Sequence, residues 1–233
     1  MPRDPQTSSE ITEDSLRAGE AFSRLAALMH RLRQPGGCPW DIEQTHGSLA
    51  IHLLEEAYEA VDAIDKGDLD GLEEELGDLL LQVVFHAEIA SETSSFDAAS
   101  VVDGLSQKLI ARHPHVFGDV SVDRADEVVV RWESLKHEQK QRTDLGEGIP
   151  NNLPALLLAH KVQRRLAGRD ESFEASSQGV AESVSAMGEA PSDEEIGELL
   201  YQVVRLAQAN GVDPEGALRR RATAALGQLS GEN

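Results

Sequence analysis

Hydrophobic residues recur at every third or fourth position in several long stretches of the chain, which is the spacing of one helix face. Between Ser15 and Arg33 the recurring residues are Phe22, Leu25, Met29 and Leu32. The same periodicity predicts further helices at about 48–66, 69–91, 98–112 and 123–142, and one that starts near 154. No useful length of sequence alternates with period two or is rich in β-branched residues, as strands are. The pattern therefore predicts an all-α protein.

Turn and capping residues set the expected ends of these helices. The run Pro35–Pro39 breaks the first helix, Ser48 is the predicted N-cap of the second, and Asp97 is the predicted N-cap of the fourth. Residues 115–121 are predicted to form a loop. Residues 168–193 are rich in Ser, Gly and Glu and are predicted to lack regular structure.

The second half of the chain repeats part of the first. The thirteen residues from Glu195 match the thirteen from Glu75 at an offset of 120, and eight of them are identical. A repeat of this length predicts two copies of one helical module. The predicted organisation is a polar N-terminus without order (1–13), a first module (14–145), a connecting helix (146–167) and a second module (168–233).

Charge and composition limit the classes of function. The formal net charge of −21 at pH 7 argues against a nucleic-acid binder, because a phosphate backbone repels such a field. No apolar run approaches the length of a membrane span, and no apolar signal core follows the N-terminus. Cys38 is the only cysteine and cannot form an internal disulfide. These features predict a cytoplasmic protein that binds neither a membrane nor nucleic acid.

The predicted helix 48–66 has one apolar and one acidic face at roughly 100° per residue. The first face carries Leu54, Ala57, Tyr58 and Val61, and the second carries Glu55, Glu59 and Asp62, with Glu56 at its flank. Taken alone, the acidic face is more typical of a solvent-exposed surface than of a site.

The predicted helix 69–91 changes this interpretation. It is apolar around nearly its whole circumference, so it is expected to be buried. Yet Glu75, Asp78 and Gln82 fall on one narrow stripe. Buried carboxylates are costly unless they are paired or bind a metal ion, and oxygen ligands favour Mg²⁺ or Mn²⁺. A buried salt bridge to Arg or Lys is the alternative.

Basic and aromatic residues downstream would complete a site for a phosphate compound. Lys108 and Arg112 lie one turn apart on one predicted helix, and Trp132 and Lys136 lie one turn apart on the next. Cationic side chains bind phosphate oxygens, and an indole ring offers a flat face to a base. Each pair by itself is more typical of a solvated face or a core anchor, so its meaning depends on the acidic residues.

At this point the sequence resembles the MazG family of nucleoside triphosphate pyrophosphohydrolases. The matching segments, in the order and spacing of the family, are Gly37–Thr45, Leu54–Glu59, Glu75–Leu80, Lys108–Phe117, Arg131–Glu133 and Leu153–Leu156. The resemblance implies a helical bundle of the all-α pyrophosphohydrolase type that forms a homodimer. It also implies Mg²⁺-dependent hydrolysis of a nucleoside triphosphate to the monophosphate and pyrophosphate.

The resemblance also assigns roles to residues. The family pattern of metal ligands falls on Glu56, Glu59, Glu75 and Asp78. Glu55 is the candidate for orienting or deprotonating the attacking water, and Glu55 and Glu56 together are the catalytic candidates. Phosphate would be held by Lys108, Arg112 and Lys136, and the nucleotide would meet Trp132, with Trp40 and its loop closing over the site.

The second module departs from this pattern. Glu195 is retained, but Glu198 replaces the aspartate, and a loose alignment puts Ser183 and Ala186 where Glu56 and Glu59 stand. We therefore predict a degenerate module with a structural or regulatory role. Two alternatives stay open at this stage: a narrower substrate, such as one modified or deoxynucleoside triphosphate, and a non-catalytic helical dimer that binds a partner protein.

Overall fold

The computed structural model describes residues 12–118, 146–167 and 177–230 of the chain. These residues form helices and no strands, which confirms the predicted all-α class. None of the helices in these ranges is long and apolar enough to cross a membrane. The chain divides into two compact units, residues 1–139 and 140–233, and each is described by itself.

The first unit contains six helices within its described part. They are α1 (Glu13–Arg33), α2 (Pro39–Glu43), α3 (His46–Lys66), α4 (Leu69–Ser91), α5 (Ala98–Arg112) and α6 (Pro114–Phe117). Two short helices were not predicted: α2 follows the break after α1, and α6 occupies the start of the predicted loop 115–121. Each begins with a proline in its first turn, where a backbone N–H would have no partner within the helix, so that its absence costs no hydrogen bond.

Side-chain caps fix where α3, α4 and α5 begin. Asp97 caps α5 as predicted, and its carboxylate accepts a hydrogen bond from the backbone N–H of Ser100 at 2.8 Å. The prediction for α3 was wrong by three residues, because Thr45 is the N-cap and Ser48 is the reciprocal partner in a capping box. Gly67 ends α3 in the left-handed region at φ +69°, and Asp68 caps α4 directly afterwards.

The turn at Gly67 and Asp68 folds α4 back along α3, and this is the most extensive helix pair of the first unit. Helix α1 packs on α4 from another side, and α5 also packs on α4. The buried core lies where α1, α3 and α4 meet and consists of Met29, Leu49, Val84 and Phe85. Helix α4 is therefore the central element, and residues on it are held from several directions.

The second unit has four helices in its described part: α7 (Ala155–Ala167), α8 (Ser177–Ala186), α9 (Asp193–Ala209) and α10 (Pro214–Ser230). Helix α8 corrects the prediction that residues 168–193 lack regular structure. Helix α9 packs on α7, α8 and α10, much as α4 packs on α1, α3 and α5. The module boundaries at 13/14, 145/146 and 167/168 stay predictions.

Candidate active site

The row of α3 side chains that faces α4 decides which acidic residues come together. Leu49, Ala60 and Ala63 are the buried residues of α3, and Glu56 lies in the same row at helical spacing. The apolar face of this helix is not its buried row, because Leu54 and Tyr58 are 51% and 48% exposed. Helix α3 packs most extensively on α4, and Glu56 is half-buried in this row.

Three carboxylates meet at this contact. One oxygen each of Glu56, Glu75 and Asp78 lies within 4.8 Å of the others, and all three residues are half-buried. Within the described ranges, no lysine or arginine forms a salt bridge with any of the three. The predicted alternative of a buried salt bridge therefore finds no partner there. A set of three converging oxygen ligands fits a hard divalent cation such as Mg²⁺ or Mn²⁺.

Partial burial and the crowding of negative charge act on the pKa values of Glu56 and Glu75. Partial burial raises the pKa of Glu56 above its ordinary value, and the carboxylate of Asp78 raises it further. Partial burial also raises the pKa of Glu75, followed by the charges of Glu59 and Glu56. Each ionised group is destabilised by its neighbours, so a bound cation would relieve the repulsion.

The other two predicted acidic residues lie at the edge of this triad. Glu59 is exposed and is not one of the three converging ligands, although its charge acts on Glu75. Glu55 is also exposed, and its Oε2 atom lies 3.0 Å from Nδ1 of His52 one turn earlier. The structure thus brings together three of the four predicted metal ligands.

Helix α4 carries the predicted polar stripe but is not buried all round. Gln82 continues the stripe from Asp78 and is buried, and its Oε1 has no hydrogen-bond partner in the described part of the chain. On another side of the helix, Leu76, Leu80 and Val83 are between 39% and 53% exposed. The expectation of complete burial was therefore wrong for a single chain.

The predicted phosphate and nucleotide residues are only partly within the described ranges. Lys108 is exposed on α5, one turn before the half-buried Arg112, and α5 packs on α4. Trp132 and Lys136 lie outside the described residues. Trp40 is on α2, is 54% exposed, and meets the ring of Phe85 edge-on at 6.4 Å between centroids.

Sequence reasoning missed two pairs of residues further along α4 from this site. His46, at the start of α3, contacts His86 of α4 with parallel rings whose centroids are 5.0 Å apart. Arg33, at the end of α1, is buried and pairs with Glu92 after α4. A basic residue in a last helical turn is an ordinary feature. Nothing in the local pattern therefore distinguished Arg33 from an exposed cation.

In the second unit, the two acidic residues that correspond to Glu75 and Asp78 are occupied by local hydrogen bonds. Glu195 lies in the first turn of α9, where its Oε2 accepts from the backbone N–H of Ser192 at 2.7 Å. Glu198 accepts from Nε2 of Gln202 at 2.5 Å. No cluster of three metal-ligating side chains occurs in the described residues of this unit.

The fold and the site define an all-α protein with a carboxylate centre suited to a divalent cation. Residues 44–117, which include the triad, match the model of the MazG nucleotide pyrophosphohydrolase domain. A nucleoside triphosphate pyrophosphohydrolase of Escherichia coli K12 is 42% identical over 215 residues, covering 85% of this chain and 82% of the relative. The MazG nucleoside triphosphate pyrophosphohydrolase/pyrophosphatase of Thermotoga maritima is 41% identical over 213 residues, covering 87% and 82%.

A solved structure of a mazG-related protein from Thermotoga maritima is 30% identical, with a TM-score of 0.42 over 49% of this chain and 97% of that one. On the sequence relationships, the chain belongs to the MazG family of nucleoside triphosphate pyrophosphohydrolases. It is an enzyme of that class, which sets aside the alternative of a non-catalytic helical dimer.

Proposed function

We propose that the first unit hydrolyses nucleoside triphosphates between the α- and β-phosphates and releases the nucleoside monophosphate and pyrophosphate. The observation that carries this proposal is the triad of Glu56, Glu75 and Asp78, which has three converging oxygen ligands and no cationic partner in the described residues. The family relationship supports the reaction class, and the triad supports a metal-assisted form of it.

We propose that Glu56, Glu59, Glu75 and Asp78 hold Mg²⁺, or Mn²⁺ in its place. The half-buried triad supplies three ligands, and Glu59 on the next turn of α3 lies close enough to act on Glu75. A divalent cation supplies Lewis acidity, which lowers the pKa of water and offsets negative charge on phosphate oxygens.

Two neighbouring residues of α3, Glu55 and Glu56, are the catalytic residues of the proposal. Glu55 orients or deprotonates the attacking water, and its contact with His52 restricts the directions in which the carboxylate points. Glu56, the next residue of α3, is the second catalytic residue of the proposal, and it also belongs to the metal-binding triad. Both residues belong to one turn of α3, so the packing of α3 on α4 sets their positions together.

Cationic side chains on α5 and beyond hold the phosphate groups in this proposal. Lys108 and Arg112 project from α5 one turn apart, and Lys136 follows in the chain. Their positive charges stabilise the oxygens that gain charge as the phosphoanhydride bond breaks. Trp132 and Trp40 contact the nucleoside.

We also propose that two copies of the chain associate through the exposed apolar side of α4. Leu76, Leu80 and Val83 form a stripe there that stays 39–53% exposed in the described chain. Apolar stripes of this kind on a central helix favour association with another helix. The cytoplasmic location remains a prediction from composition.

The test of the proposal is product analysis of the purified chain with each common nucleoside triphosphate and Mg²⁺, with EDTA as the control. We expect monophosphate and pyrophosphate, abolished by EDTA and by Glu59→Ala. Diphosphate and orthophosphate as products would contradict the cleavage position. Activity that survives EDTA would contradict the role of the metal.

The alternative within the same class is a narrow preference for one modified or deoxynucleoside triphosphate. A panel that includes deoxynucleotides and damaged nucleotides separates the two. Comparable kcat/KM for several canonical nucleotides supports the broad activity, whereas one nucleotide exceeding the others by about a thousandfold indicates a dedicated pocket.

A further inference from the structure

Arg33 is a buried cation at the last turn of α1, only 8% exposed as a residue. Its guanidinium forms a two-pronged contact with the carboxylate of Glu92, with Nε 2.6 Å and Nη2 2.9 Å from the two oxygens. This pairing lowers the pKa of Glu92 through the hydrogen bond and the opposite charge. The contact joins the end of α1 to the end of α4.

The third nitrogen of the same guanidinium reaches a different segment. Nη1 donates to the backbone carbonyl oxygens of Asp41 and Gln44, the latter at 3.2 Å. The guanidinium carbon also lies 5.5 Å from the centre of the Phe85 ring. The side chain of Arg33 thus links α1, to which it belongs, with α4 and with the main chain between Trp40 and the start of α3.

The segment from 34 to 45 is already tied to α1 at its beginning. The backbone N–H of Cys38 donates to the carbonyl of Leu32 at 2.8 Å. A side chain at Gly37 would place its Cβ 2.1 Å from the same carbonyl oxygen, so only glycine fits there. Arg33 secures the later part of the segment, which carries Trp40 against Phe85.

We propose that Arg33 is a positioning residue that holds the segment 34–45, and with it Trp40, in place for binding of the nucleoside triphosphate. This inference rests on the proposed function, in which Trp40 contacts the nucleoside. A guanidinium has a rigid fork with five donors, whereas an ammonium is a point donor on a flexible stem. Lysine at this position therefore keeps the charge opposite Glu92 but cannot bond the carboxylate and both carbonyls together.

The kinetic test compares Arg33→Lys with Arg31→Lys. Arg31 lies on the same helix turn and donates to Gly36 of the same segment, but from an exposed position and with one bond. We expect Arg33→Lys to raise KM about tenfold, equivalent to ~1.4 kcal/mol of binding free energy, with kcat unchanged. Arg31→Lys is expected to leave both constants as in the wild type.

A second measurement follows Trp40 without any substrate. Trp40 and Trp132 are the two tryptophans of the chain, so Trp132→Phe leaves Trp40 as the sole indole emitter. In that background we expect Arg33→Lys to increase the fast component of the Trp40 fluorescence anisotropy decay. The circular dichroism spectrum of the helices should not change, which shows that the variant is folded.

The outcomes separate this inference from the proposed function. Absence of triphosphate hydrolysis by the wild-type chain would overturn the proposed function and the role of Arg33 in substrate binding with it. Hydrolysis by the wild type with an unchanged KM in Arg33→Lys would overturn the positioning role alone. An unchanged anisotropy decay would show that Arg33 does not hold the segment, and a fall in kcat at constant KM would likewise contradict the proposal.

Discussion

The Nδ1 atoms of His46 and His86 lie 2.7 Å apart, and the two imidazole rings are parallel, with an interplanar angle of 5°. At this distance one nitrogen must donate and the other accept, so the contact requires that at least one ring is neutral. Burial, and then the charge of His46, lower the pKa of His86 below its ordinary value. Nε2 of His86 is buried and has no partner in the described part of the chain.

This contact predicts a loss of stability on acidification. Because the pKa of His86 is lower in the folded protein than the ordinary value of 6.5, the unfolded chain binds a proton that the folded chain does not. The free energy of unfolding therefore falls as the pH drops below 6.5 towards the folded pKa of His86. Thermal melts from about pH 7.5 to about pH 5.5 should show a smaller decline for His86→Phe than for the wild type.

His52→Gln serves as the control for that experiment. His52 is partly exposed, and its Nδ1 lies 3.0 Å from Oε2 of Glu55. We expect this variant to lose stability on acidification as the wild type does, because it leaves the His46–His86 contact intact. An equally shallow decline in both variants would show that His86 is not the group responsible.

The internal repeat supplies matched variants for the metal site. Asp78→Asn removes one ligand of the triad, and kcat/KM should fall roughly a hundredfold or more, since even the partners of metal ligands contribute up to about that much. Glu198→Gln, at the corresponding place of the second unit, should retain full activity because Glu198 bonds Gln202 there. Steady-state hydrolysis assays measure both, and comparable losses would contradict the inactivity of the second unit.

The core at the meeting of α1, α3 and α4 should respond strongly to truncation. Leu49 is fully buried among Met29, Val84 and Phe85, so Leu49→Ala leaves a cavity and should cost about 2–5 kcal/mol of the free energy of unfolding. Leu53→Ala, one turn later on α3 and exposed, should cost about 1 kcal/mol or less. Urea denaturation measures the free energy of unfolding of both variants. Equal losses in the two variants would indicate that Leu53 packs against another molecule.

The proposed dimer predicts a change of mass on charging the exposed side of α4. Leu80→Lys puts a cation in the centre of the apolar stripe and should shift the sedimentation behaviour towards a monomer, because an unpaired charge at an interface is costly. Leu16→Lys, on an exposed face of α1, should leave the mass unchanged. A wild-type chain that sediments as a monomer at all concentrations would rule out the dimer.

Helical periodicity identified the main helices because it depends on residues close together in the chain. The cap of α5 at Asp97 follows from the same local chemistry, and the structure confirms it. The start of α3 was harder to predict, since Thr45 and Ser48 both belong to the capping box and either suits an N-cap. Local patterns thus place a helix well and its end less well.

The orientation of α3 could not be obtained from its own sequence. The apolar face with Leu54 and Tyr58 stays about half exposed, whereas the row with Leu49, Ala60 and Ala63 is buried. A helical wheel ranks faces by hydrophobicity alone, whereas the buried face also depends on how side chains fit the grooves of the partner helix. This choice brought Glu56 to the triad and left Glu59 at its edge.

The sequence by itself determined the all-α class, the family and the acidic residues from which the candidate metal site is built. Periodicity and motif spacing depend only on the order of residues along the chain. The tertiary structure decided which of those acidic residues converge, that Glu195 is used as part of a helix cap, and that Arg33 is buried against Glu92. These outcomes depend on contacts between residues up to 59 positions apart, whose geometry follows only from the packing of whole helices.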